Sequence, residues 1–295
     1  MRFEFIHAER ANFPITLMCR ILEVSTSGYY RWRNAPLSKR AQEDARLKPK
    51  IAAAFAESRE TYGSPRIHAE LLDRGVKVGL HRITRLMHEM GLSAMPERRF
   101  QFTTNSKHRL GFAPDLVERE FNPTAPNRLW VSDITYIWTD DGWVYLAVVL
   151  DMFSRRVVGW AVDDHMRDEL VLDALRRALT LREVDGELVH HSDRGGQYAS
   201  KDFRTLLDAN GIAWSMGATG CCYDNAAAES FFATLKKDLV HRCRYRDLVA
   251  AKSSISEYIN LFYNSRRRHS SLGYVSPIDF EAAHRQQEPE AALAA

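Results

Sequence analysis

Cysteine is scarce in this chain, and what there is does not pair. Cys19, Cys221, Cys222 and Cys243 are its four, and no two stand at C-x-x-C spacing. Reduced cytosolic thiols are therefore a simpler reading than a disulfide scaffold or a zinc site. Long apolar runs are missing too. The longest, Val144 to Leu150, falls far short of the roughly 18 residues that cross a bilayer and reads as a buried strand. The opening MRFEFIHAER lacks the apolar stretch of a secretory signal. These absences point to a cytoplasmic protein with no membrane partner. No repeat is visible, and the one biased stretch is the Ala/Glu-rich end after His284, which is expected to fray. An apolar share of 45% with 27% charged residues argues against disorder.

Net charge is also small, +3, but it is unevenly spread. Residues 1–111 hold 20 Lys and Arg against 11 Asp and Glu, a net of +9, while residues 112–295 carry a net of −6. A basic first third joined to a mildly acidic remainder suggests that the first third meets a polyanion, although solvated faces alone can give such an imbalance. That basic third reads as short helices. Apolar residues follow helical spacing after Pro14, and a charged helix is expected from Ser38 to Ser58. A sharper unit comes next: Ser64 and Pro65 open a helix that ends at Gly75, and Ile83, Leu86, Met87 and Met90 mark a second one stopped by Gly91. The second helix shows His81, Arg82, Arg85 and His88 on its other face. Two short helices with a basic outer face fit a helix-turn-helix DNA reader or a plain helical hairpin. The expected units are an N-terminal helical region at 1–58, the helix-turn-helix at 59–95 and a basic linker at 96–126 that contains Arg98 and Arg99.

From Asn127 the pattern changes to strands. Leu129 to Thr139 is rich in β-branched and aromatic residues, Asp140-Asp141-Gly142 signals a hairpin turn, and Trp143 to Leu150 is continuously apolar. Further strands are expected at Arg156–Val162, Glu187–His191 and Ile212–Ser215. Helices are expected near Asp168–Leu181, Lys201–Ala209, Asn225–Val240 and Ala250–Tyr263. Antiparallel strands followed by alternating helices and strands predict a mixed five-stranded α/β sheet with helices on both faces, covering 127–285 and leaving 286–295 as a flexible tail.

Within this unit three acids stand out. Asp133 lies mid-strand, where an unpaired charge is costly unless it meets a metal or a partner. Asp193 follows the carboxyl end of a strand, the place where open α/β sheets put ligands; an ordinary turn aspartate fits as well. Glu229 borders the apolar stripe Ala228, Phe231, Phe232, Leu235 and Leu239, with small residues beside it, although a surface glutamate also fits. Carboxylates that converge are what Mg²⁺ needs for phosphoryl transfer. Asp151, Asp163, Asp164 and Asp224 read as pairing, turn and capping residues, and His190 and His191 point to opposite faces.

These residues carry a family resemblance. Asp133 and Asp193 are separated by 59 residues, and Asp193 and Glu229 by 35. That spacing resembles the DD(35)E pattern of retroviral integrases and bacterial insertion-sequence transposases. The surrounding text matches as well: W-x-x-D-I-T-Y, H-S-D-R-G-G-Q-Y, C-C-Y-D-N-A-A-A-E-S-F-F-A-T-L-K, the closing Tyr263-Asn264 to Leu272, and Y-G-S-P-R-I in the helix-turn-helix. The chain is similar over almost its whole length to the second-frame protein of elements whose transposase is encoded in two overlapping frames. The resemblance implies a ribonuclease-H-like core and a two-metal site of Mg²⁺, or Mn²⁺ in its place, on Asp133, Asp193 and Glu229. It implies DNA strand cleavage and strand transfer at element ends, with binding without cutting as the alternative. Lys236, seven residues after Glu229, stands where the family carries a basic residue; it, Arg82, Arg85, Arg98 and Arg99 are expected DNA contacts. Arg266, Arg267 and Arg268 are expected to join them. The implied partners are element-end and target DNA, a first-frame protein or frameshift fusion, and further copies of the chain on DNA; in the cell the protein is expected at the bacterial nucleoid.

Overall fold

The computed structural model describes residues 1–36, 38–94, 113–117, 121–217 and 226–293. Three short helices come first, α1 (Arg2–Ala8), α2 (Ile15–Ile21) and α3 (Thr26–Asn34). They bury a small cluster of Ile6, Met18, Cys19 and Tyr29. Ser25 starts α3 by accepting the Gly28 N–H at 3.0 Å, so the expected break at Ser25–Gly28 is a helix cap and its first turn.

The next unit has three helices: α4 (Lys39–Glu57), α5 (Ser64–Asp73) and α6 (Leu80–Glu89). Ile51, Ala54 and Phe55 of α4 share one buried cluster with Ile67 and Leu71 of α5 and with Ile83, Leu86 and Met87 of α6. The helical hairpin seen in the sequence thus rests on the second half of the charged helix. Gly75 and Gly91 end α5 and α6 with φ of +75° and +67°, and the next N–H reaches back in each case, from Val76 to Leu71 O and from Leu92 to Met87 O. Only glycine adopts this left-handed backbone without strain.

Five strands follow: β1 (Leu129–Thr139), β2 (Gly142–Asp151), β3 (Arg156–Asp163), β4 (Val189–Ser192) and β5 (Ala213–Met216). Their order is β3-β2-β1-β4-β5, with β1, β2 and β3 antiparallel and β4 and β5 parallel to β1. The mixed sheet expected from the sequence is the sheet observed. The interior strand β2, between β3 and β1, explains its own apolar run. Val144, Leu146, Val148 and Leu150 face one buried cluster, whereas Ala147 and Val149 face the other. A strand covered on both faces has no position for polar residues.

One face is covered by α7 (Asp168–Leu181) and α8 (Lys201–Ala209). Gly159 of β3 permits this contact, because a Cβ there would lie 2.2 Å from the Ala174 carbonyl oxygen on α7. The other face is covered by α9 (Ala226–Asp238) and α10 (Leu248–Glu257). Helix α10 runs into a π-helical turn, Tyr258–Tyr263, that buries Tyr258, Ile259, Phe262 and Tyr263 together; the wider turn brings more of its circumference against the sheet. Immediately afterwards, Asn264 donates to Val157 O and accepts from Val157 N, at 2.9 and 3.0 Å. Its amide therefore completes the edge strand β3 as a neighbouring strand would. The last helix, α11, spans Pro277–Leu293, past the point where fraying was expected. It is tied to the sheet unit by buried Glu281, which accepts from Ser154 and Arg156 at 2.6 and 2.8 Å and also pairs with Arg182. No helix among the described residues is long and apolar enough to cross a membrane.

The helical unit is not a detached module. Tyr62 donates its hydroxyl hydrogen to Arg266 O at 3.2 Å and accepts from Arg268 N at 2.8 Å. Arg268 pairs with Glu70 and Asp73 of α5, both at 2.6 Å, and Arg59 with Glu257 at the end of α10 at 2.6 Å. Buried apolar residues of both units belong to one cluster.

Candidate active site

Asp133 and Asp193 are brought side by side by strand pairing. β1 and β4 run parallel with Ser132 opposite Ser192, so the residue after each occupies the same end of the sheet. Ser132 Oγ and His190 Nε2 meet at 2.7 Å and fix that register. Asp133 shares its strand face with Val131 and Ile137, which belong to the cluster that packs under α9. Glu229 lies in the first turn of α9, near enough for its charge to act on Asp133.

Asp133 feels the charges of both other acids. Burial, the charge of Asp193 and that of Glu229 push the Asp133 carboxyl well above the usual carboxylate range, against one N–H from Ile134 and the charge of Lys236. Burial also raises Glu229. Asp193 accepts the Gly195 N–H at 2.9 Å, and a Cβ on Gly195 would come within 2.9 Å of the same carboxylate oxygen. The glycine after H-S-D-R thus serves close approach to the acid as well as the turn. Among the described residues, three ligand atoms within 4.8 Å of one another occur at Asp163, Asp164 and His165, at the end of β3. Asp133, Asp193 and Glu229 are held more widely.

Lys236 sits over the Tyr136 ring, 4.8 Å from its centroid. Burial lowers its pKa and the Asp133 charge opposes that shift, so the ammonium belongs to the acidic site. Tyr198, which ends H-S-D-R-G-G-Q-Y, was given no role from sequence. Its hydroxyl is buried without a hydrogen-bond partner, and burial, then Asp133 and Asp193, push its pKa well up. The signal available was its place at the end of a motif that already held an acid.

Several sequence expectations change. Arg267, expected as a DNA contact, is 4% exposed and its guanidinium pairs with Asp238 at 2.7 Å, so it is a buried strut. Arg268 links to Glu70, Asp73 and Tyr274 O, holding the helical unit on the core. Arg82 and Arg85 both bind Asp44 of α4, at 2.6 and 2.7 Å. Arg266 is exposed. Asp151 pairs with neither Arg155 nor Arg156; it accepts the N–H groups of Asn127 and Phe153 at 2.9 and 3.0 Å. His190 faces Tyr198 and Phe203, and His191 faces Phe121, on opposite sides of the sheet as alternation requires. Arg98, Arg99 and Asp224 lie outside the described residues.

The chain is similar to known proteins over most of its length. Residues 123–222 and 210–277 match models of an integrase core domain, and residues 41–100 match an HTH-like domain. The last span takes in α4 to α6. A 31 kDa protein of insertion element IS600 from Shigella sonnei is 44% identical over 269 residues, which is 91% of this chain and 99% of that protein. The transposase InsF of insertion sequence IS3A from Escherichia coli K12 is 39% identical over 283 residues, 95% of this chain and 98% of the relative. Among solved structures, the catalytic core domain of HTLV-2 integrase in complex with magnesium aligns at 16% identity and a TM-score of 0.43, covering 54% of this chain and 99% of that domain. With identities of this size across nearly full lengths, the chain belongs to the IS3-type insertion-sequence transposases, polynucleotidyl transferases with an integrase core domain and an HTH-like domain.

Proposed function

We propose that this transposase cleaves DNA strands at the ends of its insertion sequence and joins them to target DNA, using divalent metal on Asp133, Asp193 and Glu229. The observation that carries this reading is the charge environment of Asp133, half-buried mid-sheet, whose carboxyl is raised first by burial and then by the charges of Asp193 and Glu229. Such mutual repulsion disfavours a metal-free trio of ionised acids and is relieved by a bound cation. The donor set, oxygen atoms with no sulfur or imidazole, fits Mg²⁺ or Mn²⁺ and does not suit zinc. Asp133, Asp193 and Glu229 would hold two such ions, which would supply Lewis acidity at the scissile phosphate and offset charge on the entering and leaving oxygens.

The chain's own groups do the rest. Lys236 holds a phosphate beside the acids as a point charge. The ring of Tyr136 beneath Lys236 keeps that ammonium in place. The HTH-like unit and Arg266 hold flanking duplex, and Arg82 and Arg85 reach phosphates by exchanging Asp44 for them. A first-frame partner or fusion and further copies of the chain complete the assembly on DNA.

The test is incubation with labelled element-end DNA and Mg²⁺, scored for nicking and strand transfer. Asp133→Asn, Asp193→Asn and Glu229→Gln are each expected to abolish both steps and to leave DNA binding nearly intact. Substantial cleavage by one of them, with the wild-type metal requirement, overturns the role given to that residue.

A further inference from the structure

A second feature of α9 lies next to the acidic site. Ser230, the residue after Glu229, lines a cavity of about 410 Å³ that is also bounded by Arg66, Arg155, Arg267, His269 and Ser271. Successive residues on a helix are about 100° apart, so the cavity and the carboxylate occupy neighbouring faces of one helix. Three separate parts of the chain meet here: α5 of the HTH-like unit, the β2–β3 turn and the segment after the π-turn.

The cavity is built with more positive charge than it neutralises. Arg267 has Asp238. Arg155 has only a contact of 3.6 Å with the Met152 sulfur, and the Arg66 Nε donates to the Arg268 carbonyl at 2.8 Å. Among the described residues neither Arg155 nor Arg66 has a carboxylate in ion-pair range. Arg155 is held in the left-handed region, at φ +59°, so the turn is shaped to present its side chain here. His269 stands against the Tyr263 ring, 4.9 Å between centroids, and its Nε2 is buried without a hydrogen-bond partner. Burial and then the charges of Arg267, Arg66 and Arg155 lower the His269 pKa to about 3. Burial lowers Arg155, and burial with Arg267 lowers Arg66.

Unpaired guanidiniums in a partly buried site cost stability unless an anion meets them. Their planar forks match the oxygens of a phosphate group, and serine hydroxyls add donors. We propose that this pocket binds a phosphate group, which in the working enzyme is a backbone phosphate of the bound DNA. The DNA part rests on the function proposed above. A phosphate here bridges the HTH-like unit, through Arg66, to the catalytic helix, through Ser230, so that binding of DNA draws the reader and the acidic site into one alignment.

Two measurements on the full chain test this without metal or cleavage, so their failure is separate from any failure of the acidic-site reading. The first is the thermal unfolding midpoint in inorganic phosphate against chloride at matched ionic strength. Phosphate is expected to raise the midpoint of the wild type and not that of Arg155→Gln. The second is duplex DNA affinity against salt. Loss of one phosphate contact flattens the log–log slope by about 0.9, so between about 50 and 200 mM salt the wild type should lose roughly 3.5-fold more affinity than Arg155→Gln. Ser230→Asp, which places a fixed anion in the pocket, should show the same two losses and serves if Arg155→Gln does not fold. A phosphate effect with an unchanged salt slope means that the pocket takes free phosphate, and overturns the DNA assignment. No phosphate effect on the wild-type midpoint, or one that Ser230→Asp and a folded Arg155→Gln both retain, overturns the proposal.

Discussion

Replacing Asp238 should unfold the junction between the catalytic helix and the arginine-rich segment. Asp238 ends α9, and its Oδ2 is 2.7 Å from Arg267 Nε, with the two side chains 1% and 5% exposed. Tyr258 donates its hydroxyl hydrogen to the same oxygen at 3.0 Å. Burial works against the Arg267 charge, and Tyr258 and Asp238 outweigh it and hold the guanidinium pKa above its usual range. Asp238→Ala leaves that charge buried and uncompensated, which costs about 3–5 kcal/mol. At about 2–4 °C per kcal/mol for a domain of roughly 150–250 residues, the unfolding midpoint should fall on the order of 10 °C. Arg267→Met strands the carboxylate and should cost a similar amount. The double variant Asp238→Leu with Arg267→Met removes both charges and keeps the volume, so it should recover most of the loss. Denaturation followed by circular dichroism on the wild type, the two single variants and the double variant compares these losses. If Asp238→Ala costs less than about 1 kcal/mol, the value of an exposed ion pair, or if the double variant loses the sum of the singles, the buried-pair argument fails.

Three further outcomes are expected. Gly159→Ala sets a methyl 2.2 Å from the Ala174 carbonyl oxygen and 2.8 Å from the Ala178 Cβ, so it should cost about 3 kcal/mol by forcing α7 off the sheet, read as a lower denaturation midpoint. Burial outweighs the opposing N–H bonds from Asn127 and Phe153 and raises the Asp151 pKa to about 6. The folded chain then holds this proton more tightly than the unfolded chain, so its contribution is present at low pH and is lost as pH rises toward and through about 6. Wild-type stability should therefore fall relative to Asp151→Asn from about pH 4 to pH 7, and parallel curves would remove Asp151 from the account. Lys236→Ala should lower cleavage and strand transfer with the Mg²⁺ requirement unchanged, and Lys236→Arg should retain more activity; equal rates for alanine and wild type at low protein concentration would make Lys236 scaffold.

The division between what was legible in the sequence and what was not follows the range of the forces involved. Strand alternation in β1, the two-sided apolar run of β2, and the glycine stops of α5 and α6 are set by neighbours within a few residues, so the sequence by itself determined these elements. The acids were legible for the same reason. A carboxylate amid an apolar strand, one just past a strand end and one at the border of a helix stripe are local anomalies, and their spacing supplied the family resemblance. The fate of the arginines was not local. Arg268 meets Glu70 across 198 positions of sequence, and Arg267 meets Asp238 across 29; a basic run reads the same whether it faces solvent or lies under a helix. The support that α4 gives α5 and α6, and the amide of Asn264 on the edge of β3, were likewise decided only by the tertiary structure. Burial turns a surface charge into a strut only when a distant partner arrives, and the partner's arrival depends on packing of the whole core, which local periodicity does not record.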